Sequence, residues 1–129
     1  RGVVCFDYDR DGDTDIFINV NHGKPKLYQN RINNDNKSIM LDINDLKSKN
    51  TQAIGAKVKI SNQRTGESQY REIQANSNYQ SQNPTTQLIG LGNTSDKYDL
   101  EITWPRPFLE KSTVNDIQGN QCLQITRRP

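Results

Sequence analysis

The sequence predicts an all-β chain of short strands, most of them forming an antiparallel, β-sandwich-like domain. Three observations lead there. Ile54, Ala56, Val58 and Ile60 alternate with Lys57 and Lys59, and Leu100, Ile102 and Trp104 alternate with Glu101 and Thr103. That period of two turns one face of a strand toward a core. Short apolar runs recur between stretches rich in Gly, Asn and Ser, as in all-β folds. No window of about a dozen residues carries the 3.6-residue apolar stripe of a helix.

Taken in order, residues 3–6 and 16–20 hold the β-branched and aromatic side chains that strands favour, and they flank an acidic loop. Residues 30–38, "NRINNDNKS", are polar and without pattern, so a domain boundary is expected near Asn36, between segments 1–36 and 37–129. A strand over 54–60 should lead through the turn-like "SNQRTGES" into a second at 69–75, with Gly66 supplying the positive φ of a tight hairpin. The strand through Leu100 and Ile102 should end where Pro105 and Pro107 withdraw backbone donors. Leu123 and Ile125 mark a last strand, with Cys122 on its less buried face.

At 129 residues the chain can bury a modest core. It opens on Arg1, which suggests a piece of a longer protein. Its apolar share is only 31%, and Asn and Gln make up about a fifth, so order has to come from patterned strands rather than from bulk hydrophobicity. The net charge of +2 conceals an asymmetry, because five of the fifteen acids precede Ile16 while most of the seventeen bases are scattered after it. Without a basic block or a stacking series of aromatics, no nucleic-acid partner is expected. No apolar run approaches the roughly 18 residues that span a bilayer, so no membrane insertion is expected. Cys5 and Cys122 lack CxxC spacing, which argues against a zinc site; they could pair across a long loop in an oxidising compartment or remain separate thiols.

The acidic loop is the most specific signal. In "DYDRDGDTD", with Asp7 as position 1, Asp9, Asp11 and Asp15 fall at positions 3, 5 and 9, and Gly12 permits a sharp bend. Ca²⁺ takes six to eight oxygens, and alternate carboxylates on a curled backbone can converge on it. Asp13, at position 7, is expected to offer its backbone carbonyl, with its side chain turned to solvent. An EF-hand is excluded, because its bidentate Glu would fall on Ile18 and the flanks are strands rather than helices. Ca²⁺ suits this many carboxylates better than Mg²⁺, which retains its waters.

Other residues carry weaker signals. His22, the only histidine, sits in a turn-like context, and Ser77, Ser81 and Ser112 lack a nucleophile-elbow setting, so no Ser-His-Asp site is expected. Tyr70, Arg71, Glu72, Tyr79 and Gln82 suit either a recognition patch or cross-strand packing on a solvated sheet. Trp104 reads as core rather than as a sugar-stacking platform. "LIGLGN" reads as a tight strand exit rather than a phosphate loop. Asn36-Lys37-Ser38 and Asn93-Thr94-Ser95 match the glycosylation sequon, which matters only in a secreted eukaryotic protein.

The acidic loop with its flanks, "GVVCFDYDRDGDTDIFINV" and "KLYQN", resembles the calcium-binding FG-GAP (VCBS-type) repeat of β-propellers. The remainder of the chain is similar to the ASPIC/UnbV domain found after such repeats in cartilage acidic protein and in bacterial secreted proteins. The matching pieces are "NTQAIGAKVKI", "QYREIQANSNYQSQ", "LIGLG" and "LEITWP". Thr51 and Pro107 depart from the Arg and Gly frequent in that family. The resemblance implies a partial propeller blade, a hairpin with a calcium loop over residues 1–36, followed by the β domain over 37–129. It places the metal ligands on Asp7, Asp9, Asp11, Asp13 by its carbonyl, and Asp15. It further implies a calcium-binding extracellular or cell-surface adhesion module, secreted or periplasmic, with a protein or glycan partner in a matrix and with upstream blades of the same chain. The alternatives are an accessory or catalytic protein of secondary metabolism, since relatives occur in enediyne biosynthesis, and a purely structural propeller cap.

Overall fold

A computed structural model describes residues 2–32, 34–76, 78, 81–107 and 109–129. Among them there are ten strands and no helix long and apolar enough to cross a membrane. The first three, β1 (Gly2–Phe6), β2 (Asp15–Asn19) and β3 (Lys26–Tyr28), form an antiparallel meander. The rest are β4 (Lys37–Asp45), β5 (Lys57–Asn62), β6 (Ser68–Glu72), β7 (Gln87–Gly92), β8 (Tyr98–Thr103), β9 (Lys111–Ile117) and β10 (Gln121–Arg127). They form one sheet ordered β10-β4-β7 and another ordered β6-β5-β8-β9.

The two larger sheets share one apolar core. Ile39, Leu41 and Ile43 from β4 and Ile89 from β7 join Val58, Ile60, Leu100 and Ile102 from β5 and β8, all nearly or fully buried. The alternation around Val58 and Leu100 thus lies on the expected core face. Trp104, 1% exposed, is core, and its indole N–H donates to Ser112 Oγ at 2.8 Å.

Three expectations need correction. The strand expected from Ile54 begins only at Lys57. The Asn50 amide donates to the Ile54 carbonyl (2.8 Å) and its Oδ1 accepts the Ile54 N–H (3.0 Å), folding the preceding residues into a turn that still buries Ala53 and Ala56. Its successor β6 stops at Glu72, short of the 75 expected. The larger sheets are also not wholly antiparallel, because β10 runs parallel to β4, Leu123 beside Leu41 and Ile125 beside Ile43. After β9 the chain changes sheets, so β10 is laid against a strand far back in sequence.

The hairpin between β5 and β6 forms as expected, with Gly66 at φ 76°. Its anchor is Asn62, which is 8% exposed. Asn62 Oδ1 accepts the N–H groups of Arg64 (2.8 Å) and Thr65 (3.1 Å), while its amide donates to Asp96 (2.8 Å) and to the Tyr98 hydroxyl (3.4 Å). Arg64 grips the same Asp96 through two bonds, which, with the Asn62 bond, hold that carboxyl below the ordinary range. Asn62→Ala should therefore strand several polar groups at once and cost about 2 kcal/mol. Thermal melts check this by a fall in midpoint of roughly 6–12 °C.

Candidate metal centre

The acidic loop joins β1 to β2, and Phe6 pairs with Asp15 across the hairpin, so the first and last acids meet where the loop closes. Asp15 is the most buried of the five, at 1% exposure. Its Oδ2 accepts the Tyr8 N–H (3.0 Å) and its Oδ1 the Asn30 N–H (2.8 Å), tying the loop to the chain beyond β3. Asp7 curls the loop, accepting the N–H groups of Asp11 (3.2 Å) and Gly12 (3.0 Å). Asp9 accepts from the Gln29 amide at 2.6 Å.

One carboxylate oxygen from each of Asp7, Asp9 and Asp15 can be chosen so that all three lie within 4.8 Å of one another. Asp11 stands outside this triad and accepts the Asp13 N–H at 3.1 Å. Asp13 departs from expectation, since its Oδ1 is shielded from water rather than turned into it and has no hydrogen-bond partner. Burial, then the charges of Asp11, Asp15, Asp7 and Asp9, push the Asp13 carboxyl above the ordinary carboxylate range. Paired carboxylates this close repel by an amount on the order of a few kcal/mol per pair, less where water screens them. A hard divalent cation reverses the sign of that energy. The donor set is all oxygen and includes an orphaned shielded acceptor, which fits such an ion.

The loop does not project freely. Gly12 lies at φ 95°, a conformation that favours glycine, and a Cβ there would stand 2.9 Å from Ser38 Oγ, so the loop passes close to β4. Asp7, Arg10 and Gly12 line a groove of about 230 Å³ with Met40, Leu88 and Cys122, side chains on the outer face of β10-β4-β7. The acids thus sit against the sandwich, at the end where β4 and β10 begin.

Elsewhere, sequence-level candidates take structural places. His22 is exposed in a turn at φ 59°. Arg71 donates to the Tyr70 carbonyl and to Gln69, while Tyr70, 66% exposed, lies under Lys59 on the neighbouring strand. The Lys59–Tyr70 contact crosses from β5 to β6, whereas the Arg71 bonds stay within β6. Glu72 and Gln82 are exposed. Ser77 and Tyr79 lie outside the described residues. Gly92, at φ 75°, ends β7 as a strand exit. Cys5 and Cys122 are both exposed free thiols, and Cys122 lies on the less buried face of β10 as expected.

Sequence reasoning passed over a second cluster, at the opposite end of the sandwich. Arg127 is 8% exposed, donates through Nε to Asp45 Oδ1 (3.0 Å) and through Nη2 to Asp45 Oδ2, and stacks 4.8 Å above the Trp104 ring. Glu110 bridges Arg127 and Lys47. The only hint in the sequence was an arginine at core parity with Leu123 and Ile125.

No curated protein and no solved structure matches the chain. The family profile described as "ASPIC and UnbV" matches residues 46–129, about two thirds of the chain, a span that takes in β5 to β10 but stops short of β4, the central strand of the β10-β4-β7 sheet. The chain belongs to the ASPIC and UnbV family.

Proposed function

We propose that this chain is a calcium-stabilised extracellular or cell-surface binding module. The observation that carries the reading is the convergence of Asp7, Asp9 and Asp15 beside the shielded, unpartnered oxygen of Asp13. Asp7, Asp9, Asp11 and Asp15 would hold Ca²⁺ through carboxylates and Asp13 through its carbonyl, as in an FG-GAP (VCBS-type) loop. Bound there, the ion supplies positive charge to a hairpin that otherwise gathers repelling acids. Because the loop rests on Ser38 and Met40, ion binding also fastens the hairpin to the sandwich.

The hairpin sheet reads as part of a propeller blade, with residues 1–36 as one unit and 37–129 as the next. In register, Val3, Ile16 and Tyr28 share one face of that sheet, and they are 41%, 40% and 52% exposed. Apolar side chains on a three-stranded sheet call for a cover. Upstream blades of the same chain would supply it, leaving the sandwich to meet a protein or glycan partner outside the cell or in the periplasm.

A thermal melt with calcium and with chelator tests the cation. At a calcium concentration a hundred times the dissociation constant, the gain is about 2.7 kcal/mol. The midpoint should rise for the natural chain and stay put for an Asp9→Ala, Asp11→Ala variant. Equal midpoints with and without calcium in the natural chain would overturn the reading.

A further inference from the structure

β1 has one edge paired with β2; the other presents the N–H and C=O of Val3 and the N–H of Cys5. An unpaired edge usually pairs with another strand or is blunted. Here three side chains from one distant segment engage it. Val3 N–H donates to Ser81 Oγ (3.2 Å), and the Ser81 hydroxyl donates back to the Val3 carbonyl (2.7 Å). That carbonyl also accepts the Asn78 amide (2.9 Å), and Cys5 N–H donates to Asn83 Oδ1 (3.0 Å). Asn78, Ser81 and Asn83 belong to the family-matched region, whereas β1 lies before it.

From this geometry we infer that Asn78, Ser81 and Asn83 form a polar clasp that sets the position of β1 and thereby tunes the affinity of the acidic loop for its cation. They are positioning residues, because they act through Asp7, two residues beyond Cys5. Asp7 both curls the loop and belongs to the carboxylate triad. With Cys5 pinned to Asn83, Phe6 stays opposite Asp15 and the two ends of the acid cluster keep their spacing. Release of the clasp frays that end of β1 and lets Asp7 drift from Asp15. Coupling is reciprocal, so a cation that orders the loop also tightens the clasp. The inference rests on the proposed calcium site.

The test titrates calcium chloride into the 129-residue chain by calorimetry and follows amide hydrogen exchange. The Ser81→Ala, Asn83→Ala variant should bind calcium about 5- to 50-fold more weakly, while its melting midpoint in chelator stays near that of the natural chain. Ser81→Thr, which retains the hydroxyl, should restore most of the affinity in the Asn83 background. In the natural chain, calcium should slow exchange at Val3, Cys5 and the amides around Ser81 and Asn83. This second measurement decides the matter should the double variant not fold. Calcium binding by the natural chain with unchanged affinity in the variant and no slowing at the clasp would leave the cation site standing and overturn the clasp. No binding by the natural chain would overturn both.

Discussion

Replacing Arg127 with alanine is expected to lower the stability of the fold by about 3–5 kcal/mol, the range for leaving one member of a buried ion pair alone. Asp45 is 1% exposed, and besides Arg127 it holds only the Lys47 N–H (3.0 Å) and the Ser48 hydroxyl (2.7 Å) among the bonds described. Two neutral donors do not balance a carboxylate in the core. The bonds to Arg127 hold its carboxyl down at about 2 against the burial that opposes them, with Ser48 and the Lys47 N–H helping. The loss should appear as a fall in melting midpoint of roughly 10–30 °C. Lysine in its place keeps the charge but not the fork, so it should recover only part of the loss.

The same pair sets an acid limit. A carboxyl depressed by folding contributes stability that is complete above its unfolded value near 4. That contribution fades as pH falls toward about 2, where the folded group takes up its proton. Melts of the natural chain should thus weaken across pH 4 to 2. In Arg127→Ala this part of the acid dependence should shrink, since only the Ser48 hydroxyl and the Lys47 N–H then favour the ionised form against burial.

Trp104→Ala should cost about 3–5 kcal/mol, the usual toll for emptying a large aromatic site in a core. The indole lies at the foot of β8, bonded to Ser112 on one side and covered by the Arg127 guanidinium on the other. Removing it opens a cavity, frees the Ser112 hydroxyl from its partner and strips a face from Arg127. Because both residues serve one cluster, the double variant Trp104→Ala, Arg127→Ala should lose less than the two single losses combined. Denaturant melts of the four proteins in that cycle check it, and strict additivity would contradict a shared cluster.

Legibility varied strand by strand. β5 and β8 announced themselves, since Val58, Ile60, Leu100 and Ile102 alternate with polar residues and lie on the core face. β4 carries the same alternation in Ile39, Leu41 and Ile43, but no strand was expected there, because the polar stretch before it read as a boundary. β9 was not. Its core residues Val114 and Ile117 stand three apart, out of phase for a strand, and a bulge brings both inward: Leu100 faces Val114 and Tyr98 faces Ile117, with Asp116 at φ 60°. At the acidic loop the spacing of the aspartates was plain, and the expectation of an oxygen-ligated cation came from it. The shielded oxygen of Asp13 was not foreseeable, because its surroundings come from how the loop lies on the sandwich.

Sequence alone determined what depends on near neighbours: the faces of regular strands, the turn at Gly66, the density of acids between β1 and β2, and the family to which residues 46–129 belong. The tertiary structure decided the contacts that bridge long stretches of chain. Asp45 and Arg127 meet across 82 positions, and Val3 and Ser81 across 78. β10 chose β4 as a parallel neighbour. Periodicity assigns a side chain to a face but names no partner for it. The partner emerges only when both sheets close on one core and each buried polar group must find its complement there.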